Sequence, residues 1–295
     1  MLRLKANFEA DWVAHLRAQL TTTWGAEIAR IAGRDIATYY FESLHRRLLA
    51  QPRTLKVADD FLCPSTQVAG WQALQDKVTR GEELNPHLST RHGSLFNADG
   101  LLAEWGVHHF HLGVMPDART PDYVQRTPPL VFALVDDRMF CAINVFSHGD
   151  WEETCIIESI HRNWPDMVSA YRMNQVTGAL LSKSQRRSIR KHNANVLVST
   201  TDGTVYGPIG GGVSASGVKT ESVLRADAWC IQIRGLHDRV EKTLPQLMPV
   251  LEQNGYAGEC EIEGKLRITE TAYQIFYPRY NILATLVQAP PVGYD

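Results

Sequence analysis

Apolar residues recur at near-helical spacing through the first fifty positions. Ala26, Ile28, Ile31, Ile36, Tyr39, Tyr40, Leu44 and Leu48 stand among Arg30, Arg34, Glu42 and Arg46, which predicts amphipathic helix closed by Pro52. A second helix is expected over residues 70–78, with Gly81 as its stop. Asn85-Pro86 and the polar stretch Arg91-His92-Gly93 then mark a loop. The period changes to that of strands at 107–113 (Val-His-His-Phe-His-Leu-Gly). A connection carrying Pro116, Pro121, Pro128 and Pro129 leads to apolar runs at 130–135 and 139–146, which flank a hairpin turn at Asp136-Asp137-Arg138. Asp150 with Glu153 has the form of a capping box. Trp151, Cys155, Ile156 and Ile160 would give the following helix its apolar side, and Pro165 its end.

Beyond residue 180 a cationic run (Lys183, Arg186, Arg187, Arg190, Lys191) precedes a new pattern. Runs at 196–199 and 205–206 flank Asp202-Gly203, a strong hairpin signal, and Gly210-Gly211-Gly212 reads as a further hairpin turn. Residues 229–233 read as strand, and 237–253 as helix broken by Pro245 and Pro249. At 259–268, Cys260, Ile262, Leu266 and Ile268 alternate with charged positions, the mark of a half-buried strand. The fold class expected is α+β: N-terminal helices plus a central antiparallel sheet, followed by a second α+β domain. The domains expected are 1–165, carrying the candidate chemistry, a cationic junction at 166–195, and an accessory domain at 196–295.

Composition narrows the function classes. The 295 residues are 44% hydrophobic and 21% charged, which excludes a disordered tail, a collagen-like chain and a small disulfide scaffold. A formal net charge of −2 removes a broad basic footprint, so an anionic partner must meet a local patch. Cys63, Cys141, Cys155, Cys230 and Cys260 form no C-x-x-C pair and read as core thiols of a reducing compartment. No signal-like start and no apolar run near the ~18 residues of a membrane span occur. A cytoplasmic protein without a membrane partner is expected.

The chemistry concentrates around three histidines within four positions. On a strand, His108 shares a face with Phe110 and Leu112, whereas His109 and His111 share the other with Val107. Two imidazoles at i and i+2, with Cα atoms about 6.5–7 Å apart, can reach opposite sides of one small group. His108 reads as a packed core histidine. His148 ends the second hairpin strand just before a helix start, where the helix dipole disfavours an imidazolium; it serves either as a base or as support for the turn. Metal-free RNA cleavage needs a base for the ribose 2′-proton and an acid for the leaving oxygen, tasks two histidines can share. Arg119 or Arg126 on the connection could hold the phosphate, unless they are ordinary surface arginines.

The order of helix, His-rich strand, Arg-containing connection, hairpin and Phe-Ser-His-Gly-Asp-Trp resembles the small RelE-like ribonuclease toxins over roughly residues 55–165. Arg126 before Leu130-Val131-Phe132, and His148 with Trp151, occupy matching places. The family is usually much shorter, its catalytic set is often Arg, Lys and Tyr, and His-His-Phe-His-Leu-Gly departs from it. The resemblance implies a metal-independent endoribonuclease of toxin or phage-defence type. Its catalytic candidates, read from the chemistry above, are His109, His111, His148, Arg126 and Arg119. Arg186, Arg187, Arg190 and Lys191 are the RNA-binding candidates, and an antitoxin or regulatory partner could act through residues 196–295.

Two other readings stand beside it. A zinc hydrolase would use His109, His111 and His148 as ligands, with Asp117 or Asp150 as spare carboxylates. A non-catalytic interaction protein is the third. The glycine run lacks the Lys-Ser/Thr of a P-loop, and no aromatics interleave with the cationic run as a stacking platform would require.

Overall fold

The computed structural model describes residues 2–147, 149–150, 154–177 and 181–288. In chain order the elements are β1 (Arg3–Lys5), α1 (Phe8–Trp24), α2 (Ile36–Arg46), β2 (Thr54–Val57), α3 (Val68–Arg80), α4 (Gly100–Trp105), β3 (Val107–His111), β4 (Pro129–Val135), β5 (Met139–Ser147), α5 (Cys155–Asn163) and α6 (Pro165–Val168). There follow β6 (Arg172–Met173), α7 (Lys183–Lys191), β7 (Val198–Ser199), β8 (Val205–Tyr206), α8 (Thr220–Thr243), α9 (Met248–Gln253), β9 (Glu261–Glu263), β10 (Lys265–Ile268), β11 (Ala272–Tyr277) and β12 (Ile282–Gln288). The class is α+β. Among the described residues no helix is long and apolar enough to cross a membrane.

The chain divides into two compact units, Met1–Leu44 with Ser222–Asp295, and His45–Glu221. The division expected at 166–195 therefore falls inside the second unit. The reason is pairing over long sequence separation: β1 joins β9 in parallel, with Leu4 opposite Ile262, and Asp11 Oδ2 on α1 accepts the Leu266 N–H at 2.8 Å. Local periodicity carries no trace of such contacts. In the same unit β10, β11 and β12 form an antiparallel meander.

The second unit is built on a sheet of order β2-β5-β4-β3. The β4–β5 hairpin closes as predicted, with Asp136 Oδ1 accepting from Arg138 N at 2.7 Å and Met139 N at 2.6 Å. The sheet is mixed, not purely antiparallel, because β2 adds to β5 in parallel. One face packs Leu130, Phe132 and Ile143 against Ile156, Ile157 and Ile160 of α5. The other packs Phe110, Val131 and Phe140 against Trp71, Leu74 and Val78 of α3, which ends at Gly81 in the left-handed conformation. Burying apolar rows on both faces explains the uninterrupted Leu-Val-Phe-Ala-Leu-Val of β4.

Several local expectations change. Thr154, not Asp150, is the N-cap of α5; the Asp150 carboxylate accepts from Ser147 N at 3.0 Å, and Trp151 and Glu153 lie outside the described residues. Pro165 opens α6. Residues 229–233 belong to α8, because Ser222, Ala226, Ile233, Leu236 and Val240 are buried at helical spacing and that longer period overrides the β-prone run. Only Cys141 is buried. Cys260 is exposed since β9 begins after it, whereas Ile262 and Leu266 alternate inward as expected.

Candidate functional site

Strand β3 is the edge of the sheet, yet all five of its residues are buried. Its alternation follows the predicted faces. Phe110 and Leu112 join the α3 side and Val107 the α5 side, with the His109 ring 6.2 Å from Phe132. His108 tilts against Phe110 at 6.1 Å, and its Nδ1 has no hydrogen-bond partner among the described residues. Burial, reinforced by the charge of His92, lowers its pKa to about 3.

His111 Nδ1 accepts from Thr127 N at 3.1 Å, and its carbonyl faces His87 Nδ1 at 2.8 Å. It thereby ties β3 to the connection and to the loop before it. The ring that approaches His109 is His92, at 6.0 Å between centroids and 80° between planes.

His92 lies in a short 3₁₀ turn (Thr90–Gly93). Its Nε2 donates to Asp99 Oδ2 at 2.8 Å, and its Nδ1 lies 3.3 Å from the Arg46 carbonyl. Both ring nitrogens thus face acceptors. Asp99 is the N-cap of α4, its Oδ1 accepting from Leu102 N at 3.0 Å. Burial pushes the Asp99 carboxyl up, but the His92 hydrogen bond and the charges of His109 and His92 outweigh it and hold the pKa well below the usual range. Lys219, also buried, contributes positive charge toward His108, with its Nζ 3.6 Å from Glu221.

The cationic run forms α7, started by a full capping box at Ser182 and Gln185. The helix divides the four candidates. Arg186 is buried, while Arg187 and Lys191 are exposed. Arg190 turns inward, its Nε 2.6 Å from Glu104 Oε2 and its guanidinium 5.2 Å from the Trp105 ring. A Cβ at Gly100 would lie 2.6 Å from Arg190 Cδ, so α7 passes over the residue next to Asp99. The glycine run is no hairpin. Gly210 N and Gly212 N donate to the carbonyls of Glu104 and Ala103, each at 2.9 Å, satisfying the end of α4. A Cβ on Gly210 would meet Leu102 O at 2.3 Å.

The remaining candidates go elsewhere. Arg126 precedes β4 as expected, but both its terminal nitrogens donate to the Leu88 carbonyl, at 2.8 and 2.9 Å, and it stacks on Tyr123. It clamps a loop rather than offering a phosphate seat. Arg119 is exposed on the connection, where Asp117 Oδ1 accepts its backbone N–H at 3.0 Å. His148 lies outside the described residues. Among the described residues no group of three or more His, Cys, Asp or Glu is arranged to hold a metal ion.

His92 and Asp99 are absent from the candidates that the sequence offers. The one signal for Asp99 is its place before the apolar run Leu101-Leu102-Ala103, an N-cap pattern; its reach back to residue 92 has none. Comparison with known proteins finds no matching family model, curated protein or solved structure.

Proposed function

We propose that the chain is a metal-independent endoribonuclease whose acid and base are His92 and His109, with α7 as the rim that meets the RNA backbone. The observation that carries this reading is the His92–Asp99 hydrogen bond of 2.8 Å beside a second histidine. A carboxylate that orients one imidazole next to another supplies the two proton transfers that 2′-hydroxyl attack requires. His109 takes the 2′-proton, the 2′-oxygen attacks phosphorus, and the P–O5′ bond breaks. His92 passes its Nδ1 proton, loosely engaged at 3.3 Å by the Arg46 carbonyl, to the leaving 5′-oxygen. The resemblance of residues 55–165 to RelE-like toxins supports the reaction class, and a toxin or phage-defence setting with an antitoxin-type partner is part of the proposal.

His92 and His109 are 8% and 9% exposed, so they meet an inserted single strand more readily than a duplex. The test is incubation of single-stranded RNA with the full chain in the presence of chelator. Cleavage to 2′,3′-cyclic phosphate ends is expected, slowed at least ~100-fold by His92→Ala or His109→Ala and unchanged by Arg119→Ala. Cleavage abolished by chelator and restored by zinc would return the site to the zinc reading of His109, His111 and His148. A folded wild-type chain that cleaves no RNA sinks the proposal.

A further inference from the structure

Helix α8 has two unlike sides. Ser222, Ala226, Ile233, Leu236 and Val240 are buried. On the opposite side Leu224, Ala228, Ile231 and Gly235 recur at i, i+4, i+7 and i+11, the spacing of a coiled-coil seam. All four are exposed, Leu224 by 63% and Ile231 by 68%. Exposed glycine inside a helix costs about 1 kcal/mol relative to alanine. No heavy atom lies within 4 Å of where a Gly235 Cβ would stand, so nothing in its own chain requires the glycine.

We propose that this stripe is a homodimer interface, in which α8 pairs antiparallel with α8 of a second copy about a two-fold axis between Trp229 and Cys230. The stripe is symmetric about that point. Leu224 of one copy then meets Gly235 of the other, and Ile231 meets Ala228, each large side chain against a small one and each pair occurring twice. The flanking positions match in charge as well. Antiparallel pairing sets Asp227 against Arg234 and Arg225 against Gln232. Parallel pairing would instead stack Leu224 on Leu224, leave a gap at Gly235, and set Arg234 against Arg239. Arg234 Nε also donates to Glu9 at 2.9 Å, which steadies the guanidinium at the rim of the seam.

The mass of the full chain, measured by analytical ultracentrifugation over a concentration series, tests this. The wild type is expected to pass from one chain to two in the micromolar range, as suits a small interface. Ile231→Glu is expected to abolish the dimer, and Asp227→Arg and Arg234→Asp each to weaken it at least ~10-fold. Mixing the Asp227→Arg chain with the Arg234→Asp chain restores pairing, because each heterodimer contact again joins opposite charges. Circular dichroism checks that every variant is folded. A wild-type chain still monomeric at about 100 µM overturns the proposal and leaves the stripe to a foreign helix. A dimer indifferent to Ile231→Glu overturns it equally.

Discussion

Asp99 and His92 are joined by a single hydrogen bond of 2.8 Å, and the same carboxylate caps helix α4 through the Leu102 N–H at 3.0 Å. One side chain thereby starts a helix and orients a ring from a separate turn. Asp99→Ala removes both functions and leaves a buried imidazole without its acceptor. A loss of about 2–4 kcal/mol is expected in urea unfolding. Asp99→Asn keeps the cap and should cost less than half of that. Equal losses would mean that the cap contributes nothing.

Acid sensitivity follows from the burial of the site. His108 titrates at 6.5 when unfolded and at about 3 when folded, so the unfolded chain holds an extra proton between those values. Its contribution is full above pH 6.5 and is lost as the pH falls toward 3. Asp99 acts in the same direction at lower pH. Its folded pKa lies below the unfolded 3.8, so its stabilisation is present above that value and lost as the pH falls through the folded pKa. Unfolding free energies at pH 7.5, 6, 5 and 4 should decline, and His108→Phe should flatten the slope by about one proton. An unchanged slope would refute the assignment to His108.

Gly210 admits no side chain, since its Cβ would lie 2.3 Å from Leu102 O and 2.5 Å from Ala103 O, both backbone. Gly210→Ala is expected to cost about 2–4 kcal/mol by forcing the loop off the end of α4. Gly33, with nothing within 4 Å and no positive φ, should accept alanine within about 1 kcal/mol. Thermal melts of the two variants decide the matter.

If α7 borders the RNA path, its exposed residues carry salt dependence. Arg187→Ser with Lys191→Ser should reduce the slope of log K against log salt by about 1.4 for single-stranded RNA. Arg190→Ala differs, because it removes the 2.6 Å hydrogen bond to the Glu104 carboxylate, which is 6% exposed. It should destabilise by about 2–4 kcal/mol.

The helix over 70–78, which runs Val68–Arg80 in the structure, the faces of β3, the 136–138 turn and the Asp202-Gly203 hairpin were all legible in the sequence. Each depends on residues within a few positions of one another: a period of two or of 3.6, a glycine stop, an Asp that folds back on its own turn. The partner of His109 was not legible. Nothing in the spacing of residues 46, 92, 99 and 109 signals that they meet, and the visible His-x-His pair drew attention to His111, which bonds Thr127 instead. The unit boundary escaped for the same reason, since Leu4 pairs with Ile262 across nearly the whole chain.

By itself the sequence determined the three strands over 107–111, 129–135 and 139–147, with the turn at 136–138, and the concentration of imidazoles on one strand. Local hydrogen bonding and burial period are properties of neighbouring residues. Only the tertiary structure decided which histidine stands beside which carboxylate, and that Arg126 and Arg190 face inward. Those outcomes depend on loops closing over many residues, where burial and packing in the closed chain, not any local preference, choose the partner.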